Sequence, residues 1–338
     1  MVKKESAFLE LQTNICYTVD ISLGTEREIG MIEKRIVIAL GRNSFAETFP
    51  EQKKNCKKAA EAIADLVEQK YQIVITHSNG PQVGMIQTAM TEFSRLDERY
   101  TVAPMSLCSA MSQGYIGYDL QNAIRSELLD RGIFKPVSTV ITQVRVDPFD
   151  KAFHRPTKVI GRTMTRKEAD AEEEKGNFVV AEGDGYRRII ASPRPIDIYE
   201  IDAVTALLDA GQIVIAAGGG GIPVMEQGTT LKGASAIIEK DYTAAKLADM
   251  VDASHLLILT SQERLVTKDT QEAIGTITLK EAEQLIDNGH FDEITTLPKM
   301  DAGISFVSSG KGRTAVITKL ECAYQGMKER MGTIIKEG

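Results

Sequence analysis

Short runs of β-branched and other apolar residues alternate with helical segments along most of this sequence. The runs 35–40, 72–76, 212–217 and 256–260 each end in a polar or glycine-rich turn. Most of the segments that separate these runs place apolar residues at helical spacing, as in 56–67. Buried strands that alternate with helices form a mostly parallel sheet covered on both faces. The sequence therefore predicts an α/β fold, with a further β-branched strand over 137–146.

The stretch from about 148 to 190 differs in character from the rest. It contains Pro148 and Pro156, an acidic helical segment over 167–175 and a hairpin-like segment over 183–188. This pattern predicts an inserted subdomain or lid. Residues 1–33 have a mixed pattern and form either an appended element or a segment upstream of a start at Met31.

Charge and composition exclude several classes of protein. The net charge of −7 disfavours general nucleic-acid binding, which needs a basic surface. The sequence contains no run of about 18 apolar residues, so we expect no membrane span. The four cysteines are scattered and form no CxxC pair, which predicts free thiols, no metal site and a cytoplasmic protein.

Three turns at the carboxyl ends of predicted strands could bind an anion. The loop 76–84 links an apolar strand to a helix, a place where backbone N–H groups and the helix dipole favour negative charge. The other two turns are 41–43 and the four glycines 218–221, a run that we expect packing alone not to explain. Neither a Walker A sequence nor a GxGxxG turn after the first strand is present. The candidate phosphate-binding residues are Gly41, Arg42, Asn43, Asn79, Gly80, Gly218, Gly219, Gly220 and Gly221.

Lysines at the starts of loops and helices could supply the cations that phosphoryl transfer requires. Lys240 begins a predicted helix, Lys158 lies in the predicted lid and Lys299 follows Pro298 at another helix start. The carboxylate of Asp241 could orient two lysines or could simply cap its helix.

Together these segments resemble carbamate kinases of the amino acid kinase superfamily from residue 34 to residue 333. The resemblance is carried by 38–41, 76–84, 111–118, 156–158 with 160–161, 186–188, 192–193, 217–224 and 239–241. It implies a three-layer αβα sandwich with a protruding lid, a homodimer, and phosphoryl transfer between ATP and carbamate. It also implies an N-terminal lobe, 34–205, for the carbamoyl group and a C-terminal nucleotide lobe, 206–338.

The resemblance implies a role for each candidate residue. Lys158 and Lys240 would flank the transferred phosphoryl group, and Asp241 would organise the lysines. Lys299 and Thr260, at the end of the 256–260 strand, would bind the nucleotide together with Lys240. The substrates would be carbamate or carbamoyl phosphate with ATP or ADP and Mg²⁺, the metal being carried by phosphates and water rather than by a dedicated motif.

Four departures from the family pattern leave alternatives open. Arg42 and Ser78 stand where the family has glycine, at a cost of roughly 1–2 kcal/mol if either position needs a positive φ. The segments 261–266 and 294–298 lack the family's usual residues. A working carbamate kinase, a non-enzymatic paralogue that binds a metabolite or partner, and a kinase for another small carboxylate all fit these observations. The last would use Arg42 to clamp its substrate.

Overall fold

A computed structural model describes residues 34–97 and 99–338, so the prediction for residues 1–33 lies outside the described residues. Residues Lys34–Gly338 form one unit. The strands are β1 (Arg35–Leu40), β2 (Gln72–His77), β3 (Val137–Thr139), β4 (Gln143–Val146), β5 (Lys158–Met164), β6 (Phe178–Glu182), β7 (Gly185–Ile190), β8 (Pro195–Ile198), β9 (Ile213–Ile215), β10 (Ile222–Gln227), β11 (Thr230–Gly233), β12 (His255–Thr260), β13 (Thr276–Thr278), β14 (Thr314–Lys319) and β15 (Thr333–Lys336).

The helices that cover these strands are α1 (Phe49–Glu68), α2 (Gln82–Leu96), α3 (Met105–Asp130), α4 (Arg166–Glu174), α5 (Ile201–Asp209), α6 (Lys240–Met250), α7 (Leu279–Asp287), α8 (Leu297–Ser308) and α9 (Ala323–Met327). Short 3₁₀ helices lie at Arg42–Ser44, Lys151–Phe153, Gly218–Gly220 and Leu320–Cys322.

The main sheet has eight strands in the order β13-β15-β14-β12-β1-β2-β9-β3. The strands from β14 to β3 are parallel, and only the β14–β15 pair is antiparallel. The predicted mostly parallel sheet is therefore confirmed. Its parallel strands place the turns after β1, β2, β9 and β12 at one edge.

Alternate residues of the central strands pack into two separate cores. On β1, Val37 and Ala39 face a core that includes residues of α5, α6 and α8. The intervening Ile36, Ile38 and Leu40 face a core that includes residues of α1, α3 and α9. Because successive side chains of a strand point to opposite faces, a continuous apolar run fills both cores. This arrangement is the three-layer αβα sandwich.

The segment 137–146 is not the single strand that its composition predicts. Strand β3 belongs to the main sheet, whereas β4 lies between β8 and β10 in a four-stranded sheet ordered β11-β10-β4-β8. The chain leaves the main sheet at 140–142, where the Thr142 hydroxyl donates a hydrogen bond to the Val140 carbonyl and accepts one from the Ala217 N–H. The break arises from this long-range contact, which β propensity does not encode.

A third sheet, ordered β5-β7-β6, is antiparallel and packs with α4. It spans residues 158–190 and therefore occupies most of the predicted lid. No helix in the described part of the chain combines the length and the apolar character needed to cross a bilayer.

Candidate active site

The turns after β1, β2 and β12 open onto one cleft with a volume of about 1110 Å³. The lid strand β5 and the first residues of α6 and α8 complete its walls. The cleft is lined by most of the residues predicted from sequence, namely Gly41, Arg42, Asn43, Asn79, Gly80, Lys158, Gly219, Lys240, Asp241, Thr260 and Lys299.

A buried carboxylate joins two of the candidate lysines. Asp241 is fully buried, and one of its oxygens accepts a hydrogen bond from Lys240 Nζ. The other oxygen accepts a bond from Lys299 Nζ at 3.1 Å. Both α6 and α8 begin at this point, so their dipoles add positive potential to the two ammonium groups. Of the two roles open for Asp241, the structure shows the orientation of two lysines.

Burial and the neighbouring charges both shift the pKa values of this cluster. Burial raises the pKa of Asp241, but the neighbouring Lys240 and Lys299 outweigh that effect and lower it from 3.8 to about 2. Burial also lowers the pKa of Lys240 from its usual value, against the opposing attraction of Asp241. Because Asp241 is an anion across the physiological range, it supports two cations at the wall of the cleft.

The lid supplies a further lysine to the same cleft. Lys158 is the first residue of β5, and its ammonium group donates a hydrogen bond to the Glu239 carboxylate. Glu239 is the residue immediately before α6 and next to Lys240. This ion pair links the lid to the body of the protein beside the buried cluster. Glu239 was not among the candidate residues, although its position next to Lys240 could have identified it.

Steric packing explains why glycines follow β9. The expectation that packing alone would not explain this run was wrong. Gly219, Gly220 and Gly221 have φ values of +67°, +85° and +86°. A Cβ on Gly218 would lie 2.3 Å from His77 Nε2, and one on Gly220 would lie 2.3 Å from the Ile238 carbonyl oxygen. Only Gly219 of the four contributes to the cleft wall, so the structure does not bring Gly218, Gly220 or Gly221 to the site.

Buried polar side chains hold this glycine turn, and the sequence analysis missed them. The carbonyl of Ala217 accepts a hydrogen bond from the Thr76 hydroxyl at 2.8 Å. The Gly218 carbonyl accepts one from the Gln113 amide at 3.0 Å, and the Gly220 carbonyl accepts one from the Thr243 hydroxyl at 2.9 Å. Buried carbonyl groups need such partners. Polar residues within otherwise apolar strand and helix faces were the available signal.

The two replacements of family glycines introduce no backbone strain. Neither Arg42 nor Ser78 has a positive φ, so the expected cost of 1–2 kcal/mol does not arise. Gly41 is the glycine that this turn requires, because a Cβ there would lie 2.4 Å from the Leu259 carbonyl oxygen of β12. The backbone of the two loops is therefore compatible with their altered side chains.

The altered segment before α8 is built by its own hydrogen bonds. The Asp292 carboxylate accepts bonds from the N–H groups of Thr295 at 2.7 Å and Ile294 at 3.2 Å. The Thr295 hydroxyl also donates to this carboxylate. That bond has the largest effect, and together with the backbone bonds it lowers the pKa of Asp292. The segment still delivers Lys299 to the cleft, where its ammonium group also donates to the Thr295 carbonyl at 2.9 Å. In the other altered segment, Ser261 lines the cleft directly after Thr260.

The described residues contain no cluster of His, Cys, Asp and Glu able to hold a metal ion. Both oxygens of Asp241 already accept bonds from lysines, and Glu239 is paired with Lys158. These carboxylates therefore do not fit a resident metal centre.

Comparison with known proteins agrees with the geometry of the cleft. A sequence model of the amino acid kinase family matches residues 34–319. The chain is 47% identical to a carbamate kinase-like protein of Escherichia coli over 308 residues, covering 90% of this chain and 99% of that protein. It is 42% identical to a carbamate kinase of Clostridium perfringens over 311 residues, covering 89% and 99%. Its structure is similar to that of a carbamate kinase from Giardia lamblia bound to AMP-PNP, with a TM-score of 0.85, 32% identity and coverage of 91% and 99%.

Proposed function

The chain belongs to the amino acid kinase family, and on that premise we propose that it is a carbamate kinase, which transfers a phosphoryl group between ATP and carbamate. The observation that carries the proposal is the Lys240–Asp241–Lys299 cluster at the wall of a cleft that Lys158 also lines. A non-enzymatic paralogue and a kinase for another carboxylate are not favoured, because relatives at 38–47% identity carry the name carbamate kinase or carbamate kinase-like protein.

In this reaction an oxygen of carbamate attacks the γ-phosphorus of ATP while the bond to the β-phosphate oxygen breaks. Negative charge spreads over the oxygens of the moving group, and fixed cations stabilise it. We assign Lys158 and Lys240 to that group and Lys299 to the nucleotide phosphates. Asp241 positions Lys240 and Lys299 without contacting the substrates, since both of its oxygens are occupied.

The loops supply neutral contacts to the same substrates. Asn79 is buried, and its amide donates a hydrogen bond to the Ser112 hydroxyl at 3.3 Å, which holds it at the floor of the cleft. Gly41, Asn43 and Gly80 line the same cleft, and we propose that their backbone N–H groups contact the substrate phosphates. We propose that Mg²⁺ enters with the nucleotide, held by phosphate oxygens and water.

The test is ATP formation from ADP, Mg²⁺ and carbamoyl phosphate. A coupled assay measures the ATP that forms, and ³¹P NMR measures the loss of the carbamoyl phosphate signal. Lys240→Met should lower turnover by roughly 100-fold or more, because it removes a fixed cation from the transferred group. Lys246→Met is the matched control, since this lysine lies on the same helix but outside the cleft. It should leave turnover within about twofold of the parent.

Absence of ATP formation by folded protein would refute the proposed activity. Equal turnover in the Lys240→Met and parent proteins would refute the role of the lysine cluster while leaving the activity itself standing.

We also propose that the protein is a homodimer that associates through α3. Leu107, Met111, Gly114 and Tyr118 share one face of this helix and are exposed. A Cβ on Gly114 would meet nothing within 4 Å, so the protein's own fold does not require glycine there. A glycine flanked by apolar residues instead permits close approach of a second helix. The same patch on a second copy can cross it about a two-fold axis.

Light scattering coupled to size-exclusion chromatography tests this interface. Met111→Glu should convert a dimer to a monomer, because it places a charge in an apolar contact. Phe134→Glu is the control, since Phe134 is more exposed, at 87%, but lies beyond the end of α3. A parent protein that is monomeric, or equal masses for both variants, would refute the interface.

A further inference from the structure

Arg42 differs from the other cations that line the cleft because it forms no hydrogen bond with a carboxylate of the described residues. Lys158 bonds to Glu239, Lys240 and Lys299 bond to Asp241, Arg162 bonds to Glu168 at 2.5 Å and Arg187 bonds to Glu182 at 3.0 Å. The nearest carboxylate to Arg42 is that of Glu47, with 3.6 Å between nitrogen and oxygen, which is beyond hydrogen-bonding distance. Both side chains are exposed, at 65% and 78%, so this weak pair is readily exchanged.

Arg42 lines the cleft beside the turns that follow β2 and β12. It lies in the 3₁₀ helix directly after β1, whose neighbours in the sheet are β2 and β12. Asn79 and Gly80 after β2, and Thr260 and Ser261 after β12, line the same cleft. The backbone turn around Arg42 is fixed by the hydrogen bond from the Ser44 N–H to the Gly41 carbonyl at 3.0 Å. An exposed side chain on a fixed turn can reach a substrate bound in the cleft.

We infer that Arg42 is a substrate-binding residue whose guanidinium donates N–H groups to the carbonyl oxygen of the carbamoyl group, an inference that rests on the proposed function. One oxygen of carbamate can accept from the N–H donors of the guanidinium while the other attacks the phosphorus, and carbamoyl phosphate keeps the same carbonyl oxygen. Such a contact fixes the orientation of the acceptor toward the phosphorus. It acts on the binding of the carbamoyl substrate and leaves the nucleotide phosphates to the lysines.

Isothermal titration of carbamoyl phosphate, alongside steady-state kinetics, tests this contact. Arg42→Gln should raise both the Kd and the KM for carbamoyl phosphate about tenfold or more, with the KM for ADP unchanged within about twofold. Arg42→Lys keeps the charge but loses the fork, and should recover only part of the affinity. Arg162→Gln is the matched control, because it removes the same charge from the same cleft but from a side chain already bonded to Glu168.

The outcomes separate this inference from the proposed function. A rise in Kd confined to the Arg42 variants supports the contact even if the parent protein makes no ATP, in which case only the proposed activity fails. If the Arg42→Gln and Arg162→Gln proteins lost the same affinity for carbamoyl phosphate, the change in net charge would explain the effect and the inference would be overturned. Unchanged Kd in Arg42→Gln, or no binding of carbamoyl phosphate by the parent, would overturn it as well.

Discussion

Replacement of Asp241 by asparagine isolates the energetic role of the buried cluster. Asp241 is completely buried and accepts bonds from two ammonium groups, one of which belongs to Lys240 with an exposure of only 7%. Removing one member of a buried ion pair costs about 3–5 kcal/mol, because the remaining charge is left without compensation. The asparagine oxygen still accepts one bond, so we expect Asp241→Asn to lower the free energy of unfolding by about 3 kcal/mol.

The matched control is Asp249→Asn on the same helix. Asp249 accepts a bond from Arg313 at 2.6 Å, but its side chain is 38% exposed. Arg313 also donates to Ser309 and to Asp252, so this substitution leaves no buried charge alone. The expected cost is below about 1 kcal/mol. Urea denaturation at pH 7, followed by far-ultraviolet circular dichroism, measures both variants.

A second observable distinguishes lost charge compensation from simple disruption of packing. Without Asp241, which raises the pKa of Lys240, burial lowers that pKa further. The unfolded chain then binds more protons than the folded protein over a wider range below pH 10.5, so folded stability rises with pH more steeply than in the parent. The difference in unfolding free energy between the parent and the Asp241→Asn variant should therefore become smaller as the pH rises from 7 to 9.5. Equal costs for the two variants, or a difference that does not narrow, would refute this account.

Two further predictions concern the glycine turn and the buried histidines. Gly220→Ala should cost at least about 2 kcal/mol more than Gly228→Ala, because both positions have a positive φ but only the first places a Cβ against a backbone carbonyl; equal urea midpoints would contradict it. The unfolding free energy should fall as pH drops from 6.5 to 4, because burial lowers the pKa of His77 and of His255 to about 4 and the unfolded chain takes up the protons first. The contribution of fully buried His77 is about 3 kcal/mol. A parent protein with the same urea midpoint at pH 7 and pH 4.5, or a His77→Gln variant with an unchanged pH slope, would contradict this assignment.

Local patterns were sufficient to predict most elements of the main sheet and their helices. The segments 72–76 and 256–260 became β2 and β12, each with one residue added. Prediction failed where a long-range contact determined the local structure. The break within 137–146 depends on the hydrogen bond between Thr142 and Ala217, and β15 lies between β14, the strand before it in the sequence, and the distant β13.

The sequence by itself determined the α/β alternation, the turns at the carboxyl ends of the strands and the residue types suited to bind phosphate. These properties follow from apolar periodicity and from turn chemistry, which act over a few residues. Only the tertiary structure decided that Asp241 bridges Lys240 and Lys299, that Glu239 pairs with Lys158 and that Arg42 lies 3.6 Å from Glu47. It also decided that three of the four glycines pack behind the cleft instead of lining it. The physical reason is that ion pairs and steric contacts depend on ångström-scale positions of residues far apart in the chain, which the strand order and the packing of both cores establish together.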